Sequence, residues 1–376
     1  MTVYFHTGFD LFGAQANADG DGPAAFAGLT THPGKPTLTN SNPAGREHGI
    51  GVSGLERHKV GRGASRRNSL VMYSGAKTQN AGNVSAMFPL PAGVLPAVVG
   101  ATAVFGFRMK RGRINPAGTV PPNAYHTVIM ANGAPIFGFN PTTGSTQFFL
   151  GSTSYSSYFD FREGQEYYIE LLARRTTTAN AYFEIWVDGT RIYTSTATSY
   201  STFLNFTFGN AGGNYAWNQY IAVSDVYVAD TRLGPQQVIS RQPSVAVVKN
   251  WTPSEGNDGL ALISGANTTD DTKFIVSPAD TSEDRYHIDF NLAVGFKAYA
   301  ASLFVRGKRD PGSTRKVRAG VFNRATGTEV EAAKSVVTEF SQNAWRTDLL
   351  WSSDTPATLT PENLNSMDVN LTSPLT

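Results

Sequence analysis

The sequence predicts an all-β protein, and three observations carry that expectation. Glycine supplies 37 of 376 residues and aromatic side chains 11% of the chain, with 23 Phe and 15 Tyr. Charged residues are only 16%, against about 25% in an average globular protein. Short strands joined by tight turns need this composition, because aromatic side chains fill a pleated surface and glycine supplies positive φ angles. The third observation is the periodicity. No long window keeps a helical apolar period clear of Gly or Pro, whereas two-residue alternation recurs, as strands with one buried face require. At about 100–200 residues per domain the length suits two domains, each able to bury a core.

The elements follow in order. Ala14–Arg46 is rich in Gly, Pro, Asn and Thr and reads as a long ordered loop or arm. Leu90–Phe107 is apolar throughout, but Pro91, Gly93, Pro96, Gly100 and Gly106 interrupt it, and alternation begins at Thr102. It reads as a loop entering a strand, not as a membrane span. Strands are expected at Thr102–Met109, His126–Met130, Ile136–Asn140, Gln147–Leu150, Tyr167–Ala173, Ala181–Val187, Arg191–Tyr193, Phe203–Phe208 and Ile221–Ala229. Turn signals separate them, and their spacing points to a sandwich or barrel. Within FEIWVDGTRIY, Asp188-Gly189 predicts a two-residue hairpin turn. Pro-bearing TRLGPQQVISRQP marks a boundary, giving domains at 1–232 and 244–376 with a linker at 233–243. In the second domain, strands are expected at Phe274–Val276, Tyr286–Phe290, Val294–Gly307, Arg315–Asn323, Val330–Ala333 and Ala344–Trp351. Thr360 as N-cap and Pro361 at the first helical position predict a short helix over Thr358–Asn365.

Several function classes are excluded or disfavoured. Cysteine is absent, which removes disulfides, thiolate metal sites and cysteine nucleophiles and fits assembly in a reducing cytosol. The N-terminus has no basic region followed by an apolar one, so no signal peptide is expected. With 31 Lys+Arg against 29 Asp+Glu, the chain lacks the basic surplus of a nucleic-acid binder. Two basic clusters, Arg57 to Arg67 and Arg108 to Arg113, read as solvated faces or subunit contacts. Six scattered His have no metal-ligand spacing. Asp10, Asp188, Asp225 and Asp230 form no dense oxygen cage, so neither a metal nor any other cofactor is expected. Glu184 and Asp188 are the one acid/base candidate. Four residues apart on a strand they stand roughly 13 Å apart, too far to flank one glycosidic bond.

Several segments together resemble a family of tailed-bacteriophage virion proteins. They are Tyr4–Gly13 (YFHTGFDLFG), Phe183–Tyr193, Asn218–Asp230 (NQYIAVSDVYVAD), Leu233-Gly234-Pro235, Trp251-Thr252-Pro253 and TKFIVS followed by Asp284-Arg285-Tyr286. The resemblance implies an N-terminal concanavalin A-like (laminin G-like) jelly roll and a smaller C-terminal β-sandwich. It further implies a non-enzymatic structural part of a tail, neck or head appendage. Such a protein would reside in the virion after synthesis in the host cytoplasm. Its partners would be other virion proteins and copies of itself, as a trimer or around a sixfold tail. The alternative is a lectin-like protein that recognises a cell-surface glycan. Its candidate contacts are the loop aromatics Tyr155, Tyr158, Tyr215 and Trp217. A glycosidase or depolymerase stands third.

Overall fold

The computed structural model describes residues 3–7, 37–40, 48–53, 60, 69–74, 84–89, 98–113, 126–131, 134–139, 146–150, 153–155, 159–177, 180–195, 205–209, 219–264, 271–279, 282–330, 336–342, 345–355 and 359–374. The chain divides into two compact units, the first ending at Ile239 and the second resuming at Ser240. Both are built of strands.

The first unit contains β1 (Val3–Thr7), β2 (Thr37–Asn40), β3 (His48–Ser53), β4 (Ser69–Ser74), β5 (Val84–Pro89), β6 (Thr102–Arg113), β7 (His126–Ala131), β8 (Ala134–Phe139), β9 (Thr146–Leu150), β10 (Thr153–Tyr155), β11 (Glu166–Arg175), β12 (Ala181–Val187), β13 (Thr190–Thr194), β14 (Asn205–Gly209) and β15 (Gln219–Ala229). They form a jelly-roll sandwich. One sheet runs β13-β12-β11-β6-β15-β4-β3 with β1 also on β15, and the other runs β10-β9-β8-β7-β14-β5-β2. Alternation builds the core between them. In β12, Ala181, Phe183, Ile185 and Val187 are buried and the residues between them are half-buried. Phe105 and Phe107 of β6 meet Phe206 and Phe208 of β14, each at 4.8 Å between ring centroids.

A bulge at Ser224–Asp225 divides β15. Its first half pairs with β4 and its second with β1, while β6 runs along both. Asp225 sits there at φ +50°, a conformation the short polar side chain of Asp tolerates better than most. Gly106 has a packing reason. A Cβ there would lie 1.9 Å from the Tyr227 ring, which crosses the strand at that point.

The second unit contains β16 (Val245–Lys249), β17 (Thr252–Pro253), β18 (Ile275–Val276), β19 (Glu283–His287), β20 (Ala301–Gly307), β21 (Val317–Asn323), β22 (Thr328–Glu329), β23 (Val337–Thr338), β24 (Arg346–Ser353) and β25 (Met367–Thr372), with helices α1 (Gly259–Ile263) and α2 (Pro361–Asn365). Its main sheet runs β16-β19-β25-β21-β22, with β23 on the end of β21; β20 and β24 pair separately. Tyr286, Ile288, Ala319, Leu350, Val369 and Leu371 form one core cluster, and Trp351 packs with Val321, Leu359, Leu364 and Met367 in another. The unit is a small β-sandwich.

The all-β expectation holds, and several boundaries change. Within the expected arm, Thr37–Asn40 is a strand paired with β5. Val294–Gly307 is a strand only from Ala301, because a turn closed by Phe296 N–H on the Ala293 carbonyl occupies its first part. Strands β16 and β25 were not among the expected strands. Helix α2 has its expected cap, with the Thr360 hydroxyl accepting from Asn363 N–H. Among the described residues no helix is long and apolar enough to cross a membrane.

Candidate functional site

The outer face of the eight-stranded sheet is the best-defined polar site of the first unit. In the run YYIELLA of β11, Tyr167, Ile169 and Leu171 face the sandwich core, so Tyr168, Glu170 and Leu172 face outward. Glu170 is nevertheless only 1% exposed. Its Oε1 accepts from the Tyr227 hydroxyl at 2.5 Å and from the backbone N–H groups of Leu233 and Gly234. Its Oε2 accepts from Arg232 Nε and Nη2 at 2.9 and 2.7 Å. Arg232 also lies 3.4 Å from the centre of the Trp186 ring.

A second buried carboxylate repeats the pattern. Asp225 accepts from Arg108 Nε and from Val238 N–H, both at 2.9 Å. Arg108 in turn donates to the Gln236 carbonyl. Together these bonds lay residues 232–238 across the sheet as a strap. Residues 233–239, expected within a linker, thus belong to the first unit. Val104, Tyr168, Tyr227 and Ala229 pack beneath, against Val3 and Leu233.

The chemistry of this face is that of a seal. Burial, with Tyr168 and Glu170 adding to it, pushes the Tyr227 hydroxyl far above its ordinary pKa of 10, so it remains a donor. A carboxylate has about four lone-pair positions, and five donors already converge on Glu170. No acceptor is left for a substrate.

The other sequence candidates separate. Glu184 accepts from Trp186 Nε1 and Arg191, while Asp188 accepts from Tyr168 N–H. Both carboxylates are structural, and Asp188 opens the hairpin turn at φ +47°. Of the second basic cluster, Arg108 is ion-paired with Asp225. Arg111 is buried, with Nε on the Phe161 carbonyl. Arg108 and Lys110 share one face of β6 and Arg111 lies on the other. Arg57, Lys59, Arg62, Arg66 and Arg67 lie outside the described residues. Burial pushes the His6 pKa down to about 4. Tyr158, Tyr215, Trp217 and Asp10 lie outside the described residues, and Tyr155 is described by its backbone alone, at the end of β10. Among the described residues no group of three or more His, Asp or Glu could hold a metal ion.

Glu170, Tyr227 and Arg232 were not among the sequence candidates, and Asp225 was weighed only as a metal ligand. One signal was present: Glu170 is the single charged residue between Tyr167 and Ala173. Its Tyr227 and Arg232 partners are 57 and 62 residues away.

No family model and no curated protein matches this chain. Solved structures with a similar fold include an endo-β-1,4-glucuronan lyase from the fungus Trichoderma reesei, 14% identical with a TM-score of 0.37 over 61% of this chain and 96% of that one. An alginate lyase from Aplysia kurodai is 9% identical with a TM-score of 0.38, over 61% and 100% of the two chains. The receptor-binding domain of botulinum neurotoxin D is 12% identical with a TM-score of 0.31, over 50% and 45%. These are not virion proteins. The expectation of a non-enzymatic structural virion component is corrected on this finding.

Proposed function

We propose that this chain is a carbohydrate-binding protein that recognises a glycan on the seven-stranded sheet of its first unit. The observation that carries this reading is the sealed opposite face. In a two-sheet sandwich each sheet spends one face on the core, so a ligand must use an outer face or the loops at the ends. The middle of the outer face of the eight-stranded sheet, over β11, β6 and β15, is covered by the strap from Arg232 to Val238, held by Glu170 and Asp225. The seven-stranded sheet is left as the platform. Its strands carry Thr127, Gln147, Asn205 and Thr207, polar types suited to sugar hydroxyls. Strand β10, ending at Tyr155, forms one edge of it. We assign Tyr155, Tyr158, Tyr215 and Trp217 as the aromatics that stack on sugar rings. No catalytic step belongs to this reading, since Glu184 and Asp188 are spent on structural bonds.

Binding of the purified full chain to an array of immobilised glycans tests it. Saturable binding to one glycan class is expected, weakened about tenfold or more (about 1.4 kcal/mol) by Tyr155→Ala with Trp217→Ala at an unchanged melting temperature. A silent array, or a double variant that binds as the parent does, overturns the reading.

A further inference from the structure

We infer that the second unit carries its own saccharide-binding surface, for a neutral sugar, on the face of its main sheet turned away from the core and centred on Asn370. This goes beyond the reading above, since it concerns a different unit and different residues.

Strand register places the residues. Across β19, β25 and β21, His287 stands opposite Asp368 and Phe322, Arg285 opposite Asn370 and Gly320, and Glu283 opposite Thr372 and Arg318. Such neighbours lie about 4.5–5.5 Å apart on one face. The alternating residues Tyr286, Val369, Leu371 and Ala319 supply the core on the other face. The outer face is therefore a grid of polar groups around Asn370.

Its charges are matched. Arg285 pairs with Glu283 at 2.7 Å, Arg318 with Glu329 at 2.7 Å, and Arg324 with Asp368 at 3.2 Å. His287 Nδ1 also meets Asp368, at 3.1 Å. The three arginine side chains remain between 31% and 47% exposed. Fixed pairs of this kind present donor and acceptor side by side without net charge. That suits a hydroxyl, which both donates and accepts, whereas an ionic ligand would have to break a pair.

Asn370 supplies the independent observation. It is 7% exposed, and its buried Oδ1 has no hydrogen-bond partner. Leaving such an acceptor unpaired in the interior is destabilising, a cost that an apolar residue of similar size would avoid. Arg285 reaches over the central strand to within 5.1 Å of the Phe322 ring centre. Gly320 makes room for that ring, because a Cβ there would lie 2.8 Å from it. A hydroxyl donor directed at Asn370 Oδ1, beside the Phe322 ring and the fixed ion pairs, completes the site.

The test uses the full chain carrying Tyr155→Ala and Trp217→Ala, so that the first proposed site is removed. Probes are immobilised neutral oligosaccharides of glucose, mannose and galactose, with oligouronates and sialylated glycans alongside. Binding to a neutral probe is expected to persist. Asn370→Leu should then abolish it while leaving the melting temperature unchanged or raised, and Arg318→Gln should weaken it about tenfold. Three results overturn the inference: no neutral probe bound on this background, neutral binding unaffected by both variants, or binding to the acidic probes alone. Failure of the first reading looks different: glycan binding that is indifferent to Tyr155 and Trp217.

Discussion

Glu170 shows how one side chain can anchor a strap across a sheet. Its carboxylate is buried, and its charge is tolerated because Arg232 neutralises it and three further donors complete its shell. Replacing one member of such a set leaves the other charge desolvated, which costs more than the pair contributes. Glu170→Gln keeps the shape but puts an amide N–H₂ among donors. An expected loss of about 3 kcal/mol or more should appear as a lower urea midpoint. Glu184→Gln is the contrast, since its Arg191 partner is 52% exposed. That change should shift stability by less than about 1 kcal/mol. Equal shifts for the two variants would refute the assignment of Glu170 as the strap's anchor. In the sequence Glu170 stands out as an acid inside an apolar run, but nothing nearby names its partners. The acids that drew attention there, Glu184 and Asp188, were conspicuous because they sit beside Trp186 and a turn.

Elements whose cause is local were legible. The hairpin of β12 and β13 is one, since Asp188 and Gly189 adopt φ +47° and +82° and only short or absent side chains do so cheaply. Nothing lies within 4 Å of a Cβ built at Gly189, so Gly189→Val tests the backbone alone. A loss of about 1–3 kcal/mol is expected in thermal or urea unfolding; an unchanged midpoint would contradict the turn. Helix α2 was equally readable from Thr360 and Pro361. Strand β25 was not, although Met367, Val369 and Leu371 alternate with Asp368, Asn370 and Thr372. Asp368 and Asn370 are buried as well as its apolar residues, a burial their polar types give no sign of. Strand β3, HGIGVS, escaped for the opposite reason: its glycines weaken any strand propensity, and pairing with β4 holds it.

For the whole molecule the consequence lies at the junction of the units. A segment with Gly234 and Pro235 reads as a hinge, yet its first half is hydrogen-bonded to the first sheet while Arg241, beyond it, is exposed. Limited trypsin digestion should therefore cut after Arg241 before it cuts after Arg232, giving a fragment that begins at Gln242 in intact-mass analysis. Earlier cleavage at Arg232 would mean that the strap is not held. Composition and two-residue alternation suffice to establish an all-β chain in two parts, because strand formation and tight turns are properties of neighbouring residues. Closure of one sandwich face and the gathering of Arg285, Asn370, Asp368 and Phe322 on one sheet are of another kind. They depend on strands far apart in sequence meeting in a given register, and on the burial of charges whose partners the fold alone brings within reach.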